Sequence, residues 1–210
     1  MQTKVLYNQA MRVIVGNNVT PEMLEQALKL DWSCYPKDYW LTFDKCKDYF
    51  NANNEIYIML MEENELIGYI NFSPISDEAY NKIRSGEYKD TYLEGKDIVS
   101  YNKKGFYNGY FSSVVVKAEY RKRGIATILM NELFKYLTVL SERGIFFKRI
   151  VADVLSDGGR VLIEKFGLKK IIDSSESLGI YEIQLVTDDE NLSGVAKELN
   201  EIYMGMNNNG

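Results

Sequence analysis

Residues 111–126 have the sequence FSSVVVKAEYRKRGIA, in which an aromatic and β-branched segment runs directly into a basic turn. The part of the chain that ends in this segment, residues 106–116, is dense in residues that favour strands, so we predict a strand there. After the turn, apolar residues recur every three or four positions from Ile125 to Leu140, and Gly144 follows where a helix cap is expected. The stretch therefore predicts a strand, a turn and an amphipathic helix in succession.

The turn carries the pattern Arg-x-x-Gly-x-Ala, formed by Arg121, Gly124 and Ala126. A turn that enters a helix offers unpaired main-chain N–H groups together with the positive end of the helix dipole. Gly124 lets an anion approach the main chain without meeting a Cβ atom, and Ala126 keeps the first helical turn slim. Because Lys122 and Arg123 add positive potential, the pattern predicts a site for a pyrophosphate.

The rest of the chain predicts further strands and helices around this unit, in an α/β arrangement. The predicted strands are residues 12–15, 55–61, 66–72 and 149–155, with one or two more within residues 169–186. The predicted helices are residues 20–30, which begin at a Thr-Pro-Glu cap, 43–50 and 160–166. We expect a single domain over residues 1–206 and a disordered tail at residues 207–210.

Residues 76–105 interrupt this pattern with a segment rich in tyrosine, lysine and glycine, in which we predict one helix near residues 78–84. We interpret it as an insertion that covers one face of the domain. Long loops in compact domains often serve as lids or binding elements. An excursion without function is the alternative.

Composition excludes several functional classes. The chain of 210 residues contains no histidine, which removes Ser-His-Asp and Cys-His nucleophiles and the usual zinc hydrolase sites. Its two cysteines, Cys34 and Cys46, are too few for a thiolate metal site, and we expect reduced thiols and no metal. A net charge of −5 argues against nucleic acid as a partner, and the longest apolar run, residues 56–61, is too short to span a membrane. We therefore expect a cytoplasmic protein.

Two motifs together resemble the GNAT superfamily of acyl-CoA-dependent N-acyltransferases. The first is Arg121, Gly124 and Ala126, which match the family signature Arg/Gln-x-x-Gly-x-Gly/Ala between the fourth strand and the third helix. The second is LIEKFGL, residues 162–168, which is similar to the family's Leu-Tyr-Glu-Lys-x-Gly-Phe segment. The resemblance covers roughly residues 66–186.

The resemblance implies a twisted, mostly antiparallel central sheet with helices on both faces, in which the fourth and fifth strands splay apart. It further implies that acetyl-CoA lies in the gap, with its pantetheine arm bonded to the backbone of Val114, Val115 and Val116. An amide near Val114 or Val115 would polarise the thioester carbonyl. The residues implied for the pyrophosphate side of the site are Arg121, Lys122, Arg123, Gly124, Ile125, Ala126 and Thr127, with Ser156 at the end of the fifth strand.

Two positions depart from the family pattern. Ile163 aligns with the tyrosine that many relatives use to protonate the leaving thiolate, and Ser156 aligns with an asparagine that commonly binds the cofactor. Asp153 is our candidate general base, because it shares a strand face with a position that carries a carboxylate in some relatives. Tyr110 and Ser113 are candidates for ordering a water instead. A structural role, as a salt-bridged strand-end carboxylate or as ordinary sheet residues, is the alternative for all three.

The sequence thus predicts an N-acetyltransferase that transfers an acetyl group directly from acetyl-CoA to a primary amine of a small molecule, a peptide N-terminus or a lysine. The acid excess favours a cationic acceptor, and a homodimer is left open. The alternative, motivated by Ile163, is a non-catalytic acyl-CoA sensor or partner-binding module on the same fold. A dinucleotide-binding oxidoreductase is disfavoured because no Gly-x-Gly-x-x-Gly follows an early strand.

Overall fold

The structure is a computed structural model, which describes residues 11–189, 192 and 194–207. Over these residues it contains seven strands and six α-helices. The strands are β1 (Met11–Val15), β2 (Tyr57–Glu62), β3 (Glu65–Ile75), β4 (Gly105–Val116), β5 (Ile145–Asp153), β6 (Lys169–Ile172) and β7 (Ile180–Gln184). The helices are α1 (Pro21–Cys34), α2 (Phe43–Ala52), α3 (Asp77–Arg84), α4 (Ile125–Glu142), α5 (Asp157–Lys165) and α6 (Gly194–Asn207).

All seven strands form one mixed sheet in the order β1-β2-β3-β4-β5-β7-β6. Strands β4 and β5 are parallel, and every other neighbouring pair is antiparallel. Helix α4 makes the crossover connection that parallel neighbours require, since it leaves the end of β4 and returns the chain to the start of β5. The predicted fold class, a mostly antiparallel central sheet with helices on both faces, is confirmed.

Side chains alternate along the strands and divide the core into two layers. Ile58, Ile70 and Ile150 face α4, α5 and α6 on one side of the sheet. Met59 and Tyr69 face α1, α2 and α3 on the other side. The sheet is therefore buried on both faces. An opening between its strands would connect the layer of α4, α5 and α6 with the layer of α1, α2 and α3.

Several predicted boundaries were wrong for identifiable reasons. Helix α1 continues to Cys34 rather than residue 30, because it is Pro36 that forces the preceding Tyr35 out of the helical region, to φ −104° and ψ 152°. Strand β5 begins at Ile145 rather than residue 149, because Ile145 already pairs with Gly105 of β4. Helix α5 begins at Asp157, three residues earlier than expected, because Ser156 caps it.

Helix α6 was not predicted at all. Its residues Ala196, Leu199 and Tyr203 are buried at helical spacing in the same layer as α4. Asn207 is the last residue of this helix, and residues 208–210 of the expected tail lie outside the described part of the chain.

The insertion at residues 76–105 is firmly attached to the sheet. It contains α3, close to the predicted helix, and two short 3-10 turns at Asp90–Tyr92 and Gly95–Asp97. The Asp77 carboxylate accepts hydrogen bonds from Asn108 of β4 at 3.1 Å and from Arg149 of β5 at 3.0 Å. Arg84 forms an ion pair with Glu182 of β7 at 2.7 Å. These contacts hold the insertion against three strands of the sheet.

Candidate active site

Strands β4 and β5 part at a β-bulge. Their parallel pairing ends at Phe111 and Ala152. On the other edge of β4, Asn71 of β3 pairs with Ser113 while Phe72 pairs with Phe111, so Ser112 is an extra residue without a partner. Because a bulge bends the strand that carries it, β4 turns away from β5 at this point. Residues 113–116 stay paired with β3, while their other edge faces the gap.

A cavity of about 600 Å³ fills this gap, a size within the usual range for ligand sites. We call it the fork cavity. Its walls come from the end of β4, the first turn of α4, the start of α5 and the loop after α1. Its lining includes Cys34, Tyr35, Tyr39, Val114, Val115, Val116, Tyr120, Arg121, Lys122, Gly124, Ile125, Ala126, Thr127, Leu155, Ser156, Leu162 and Glu176.

The N-terminus of α4 opens into this cavity without a cap. Four other helices, α1, α2, α3 and α5, each begin with a hydroxyl side chain that accepts a hydrogen bond from the first turn. Helix α4 follows Gly124 instead, an N-cap residue with φ 82° and no side chain to accept such a bond. The N–H groups of its first turn have no partner inside the helix, and its 18 residues direct the positive end of their dipole at the cavity. These N–H groups and the helix dipole lie where the sequence predicts an anion site, and the site itself stays a prediction.

The three cations of the turn have different positions. Lys122 lines the cavity and has a left-handed φ of 60°, a conformation that is uncommon for a residue with a side chain. Arg121 lies across the mouth of the cavity, where its Nε donates to the Val116 carbonyl at 3.1 Å and its Nη2 to Cys34 Sγ at 3.1 Å. Arg123 lies outside the lining, with its guanidinium carbon 5.3 Å from the centroid of the Tyr120 ring. Two of the three cations thus reach the cavity.

The start of α5 presents no acid to the cavity. Ser156 lines it, but its Oγ accepts a hydrogen bond from the Gly159 N–H at 3.1 Å and so caps α5. Ile163 is 4% exposed and lies in the apolar core, while the neighbouring Leu162 faces the cavity. Sequence reasoning missed Tyr35 and Tyr39, which bring two phenols to the opposite wall. The sequence feature that could have indicated them is their position on either side of Pro36, directly after a helix.

The three candidate catalytic residues do not line the fork cavity. Tyr110 is 2% exposed and packs in the core layer of α1 and α3, and Ser113 pairs with Asn71 within the sheet. Asp153 follows Ala152, the last residue of β5 that pairs with β4, so it lies at the apex of the fork.

Asp153 faces a second cavity of about 360 Å³, which we call the insertion cavity because residues 85–92 form one of its walls. One oxygen of this carboxylate, Oδ1, is buried and has no hydrogen-bond partner among the described residues. Burial raises the pKa of the Asp153 carboxyl above its ordinary value, although a hydrogen bond from the Ser177 hydroxyl opposes the shift. The fork and insertion cavities share one lining residue, Glu176.

A second buried carboxylate, Asp31, lies one helical turn before Tyr35. It continues the buried stripe of α1 formed by Leu24, Ala27 and Leu28. This helical spacing indicates a buried position, and sequence reasoning overlooked it. Burial raises the pKa of Asp31 to about 6, and a hydrogen bond from the Tyr69 hydroxyl opposes that shift. Tyr69 pairs with Val115, so this carboxylate lies behind the wall of the fork cavity.

Replacing Asp31 with asparagine is expected to stabilise the protein at alkaline pH. Because the pKa of Asp31 is higher in the folded chain than in the unfolded chain, the free energy of unfolding falls as pH rises from about 4 to above 6. The neutral amide avoids this loss, so Asp31→Asn should gain up to about 3 kcal/mol over the wild type at pH 8. Chemical unfolding at pH 4.5 and pH 8 measures the difference. An equal effect of the substitution at both pH values would contradict the assignment.

Two kinds of feature are absent from the described residues of this structure. Among the residues that it describes, no three histidine, cysteine, aspartate or glutamate side chains are grouped as a metal site requires. None of the described helices combines the length and apolarity that crossing a bilayer demands.

Comparisons with known proteins agree with this geometry. Similar solved structures include an acetyltransferase from Streptococcus agalactiae, with 16% identity and a TM-score of 0.55 over 84% of this chain and 99% of that one. They also include Arabidopsis thaliana Naa50 in complex with the bisubstrate analogue CoA-Ac-MVNAL, with 15% identity and a TM-score of 0.52 over 82% of this chain and 96% of that one. PaiA N-acetyltransferase from Thermoplasma acidophilum, in complex with coenzyme A, has 15% identity and a TM-score of 0.52 over 84% of this chain and 99% of that one.

At these identities the structural likeness establishes the fold alone, and a search of curated protein sequences found no match. The family itself follows from a sequence model described as the acetyltransferase (GNAT) family, which matches residues 22–157 and so covers the β4-turn-α4 unit and the apex of the fork. The chain belongs to the acetyltransferase (GNAT) family.

Proposed function

We propose that this protein is an N-acetyltransferase that transfers the acetyl group of acetyl-CoA to a primary amine. The observation that carries the proposal is the uncapped N-terminus of α4, which opens into a cavity beside an unpaired edge of β4. An anionic group would satisfy the N–H groups of the helix N-terminus, and an extended chain would pair with the edge of β4. Acetyl-CoA carries a pyrophosphate and an extended pantetheine arm in that order.

The residues of the fork cavity fit this ligand. The main-chain N–H groups from Lys122 to Thr127 would hold the pyrophosphate, with Lys122 supplying charge. The edge of residues 114–116 that faces the gap pairs with no strand, and it would bond to the amides of the arm as a neighbouring strand does. An N–H of Val114 or Val115 would also polarise the thioester carbonyl as negative charge develops on its oxygen.

The acceptor amine would approach from the other face of the sheet. Asp153 lies at the apex of the fork but faces the insertion cavity, so an amine there meets the carboxylate and the gap together. In the transfer, the amine nitrogen forms a bond to the acetyl carbon, the carbon–sulfur bond breaks, and Asp153 takes a proton from the nitrogen. Since thiol pKa values lie near about 8.5, the CoA sulfur can leave as a thiolate without a dedicated acid at Ile163.

A second function is favoured by one observation. Because Ile163 is buried in the core and α5 presents Leu162 to the cavity, that helix offers no proton donor to the leaving thiolate. An acyl-CoA sensor that binds without turnover would need none. This alternative uses the same fork cavity and differs only in the fate of the acetyl group.

Calorimetric titration with acetyl-CoA, followed by a thiol-release assay with a panel of primary amines, tests the proposal. We expect saturable binding to one site and thiol release that depends on the amine. Absence of binding would contradict both functions. Binding without release on any amine would favour the sensor.

A further inference from the structure

The insertion cavity combines three parts of the chain that are distant in sequence. Asp153 forms its inner end, the segment after α3 forms one wall, and the turn between β6 and β7 forms the other. Its lining residues are Ser85, Gly86, Glu87, Tyr88, Lys89, Tyr92, Asp153, Ile172, Asp173, Ser174, Ser175 and Glu176. It meets the fork cavity at Glu176, so a molecule within it would lie next to the gap between β4 and β5.

Carboxylates outnumber cations around this cavity. Four acidic residues line it, namely Glu87, Asp153, Asp173 and Glu176. Glu176 forms an ion pair with Lys89, at 2.5 Å between Nζ and Oε2, and Asp173 forms one with Lys170. Within the described part of the chain, neither Glu87 nor Asp153 has an ion-pair partner. The cavity thus presents an excess of negative charge and one buried, unpartnered carboxylate oxygen on Asp153.

The chain itself already places an alkylammonium group at this wall. Lys89 Nζ lies between the Glu176 carboxylate and the ring of Tyr39, 5.6 Å from the ring centroid. A carboxylate on one side and an aromatic face on the other are the two groups that bind ammonium most effectively. Tyr88 and Tyr92 extend this aromatic character along the cavity, with ring centroids 5.6 Å apart. The wall therefore matches a cation on an aliphatic stem.

We propose that the acceptor is a short aliphatic diamine, bound in the insertion cavity. This inference rests on the proposed function, and names the class of amine that the enzyme would select. One nitrogen lies as a neutral amine beside Asp153 at the apex of the fork, where it attacks the acetyl carbon and gives a proton to Asp153 as the carbon–sulfur bond breaks. The other remains an ammonium ion, held by Glu87, with its methylene stem against Tyr88 and Tyr92.

A pair of acceptors that differ only in the second charge tests this assignment. We expect kcat/KM for 1,4-diaminobutane to exceed that for 1-aminobutane by roughly tenfold or more, as expected for one charge-assisted hydrogen bond in a partly buried site. The anionic 4-aminobutanoate should be the poorest of the three. Glu87→Gln should lower the preference for the diamine several-fold, while acetyl-CoA affinity by calorimetry stays unchanged. Glu78→Gln, which removes an exposed carboxylate of α3 outside both cavities, serves as the matched control and should leave the preference intact.

Binding measurements keep the inference separate from the proposed function. With the protein saturated with CoA, calorimetry should show tighter binding of the diamine than of the monoamine, even if no amine turns over. Equal binding and equal rates for both amines would overturn the diamine assignment, as would a preference that Glu87→Gln does not change. Failure of acetyl-CoA itself to bind would instead overturn the proposed function.

Discussion

Replacing Asp153 with asparagine is expected to lower kcat/KM for amine acetylation by about 10²-fold or more, the range usual for loss of a general base. The amide keeps the shape of the side chain but cannot accept a proton. Because burial raises the pKa of Asp153, the wild-type rate should rise with pH through a value above the ordinary one for aspartate. This acidic limb should be missing from the pH profile of the variant. Steady-state rates across the pH range, with acetyl-CoA affinity measured in parallel, check both effects.

Asp44→Asn is the control, because it makes the same change of charge as Asp153→Asn. Asp44 is an exposed residue in the first turn of α2. We expect its rate and pH profile to match the wild type. If Asp153→Asn retains both the rate and the acidic limb, Asp153 is not the base. A loss of acetyl-CoA affinity in Asp153→Asn would indicate a structural role at the fork.

Replacing Gly124 with alanine is expected to weaken acetyl-CoA binding about tenfold, and replacement with valine to weaken it further. The added carbon would stand where the pyrophosphate must approach the first turn of α4, and losing one charge-assisted hydrogen bond costs about 1.5–3 kcal/mol. A side chain at φ 82° also strains the backbone, by about 1–2 kcal/mol. Calorimetry with acetyl-CoA measures the first effect and chemical unfolding the second.

Gly16→Ala separates the two effects. Gly16 has a similar positive φ of 60°, and a Cβ atom there would lie no closer than 3.8 Å to its neighbours, away from the fork cavity. This control should lose stability by a comparable amount but bind acetyl-CoA like the wild type. Unchanged affinity in Gly124→Ala would remove the pyrophosphate site from the N-terminus of α4.

The parts of the fold that sequence could predict are those set by neighbouring residues. Strand β4 was predicted to within one residue because aromatic and β-branched residues recur along it, from Phe106 to Val116. The start of β5 was missed because Ile145 is held by pairing with Gly105, forty residues earlier, which no local pattern reveals. Helix α6 was missed because it contains two glycines and two asparagines, which are poor helix formers, and owes its stability to packing beside α4.

The same distinction applies to the candidate site. The turn of the predicted anion site could be located from sequence because Arg121, Gly124 and Ala126 lie within six residues of one another. Tyr39, Lys89 and Glu176 come from three separate loops, and only folding brings them together. Strand alternation predicted the face on which Asp153 lies, but the cavity that it faces depends on the insertion, whose packing no periodicity encodes.

The bulge at Ser112 makes the rest of this architecture possible. A regular ladder would continue the pairing of β4 with β5 past Ala152 and leave no room between the two strands. The one extra residue in β4 therefore opens the sheet at the fork cavity. The fork cavity then depends on an irregularity in one strand. Deleting this position should restore regular pairing between β3 and β4 and close the gap between β4 and β5.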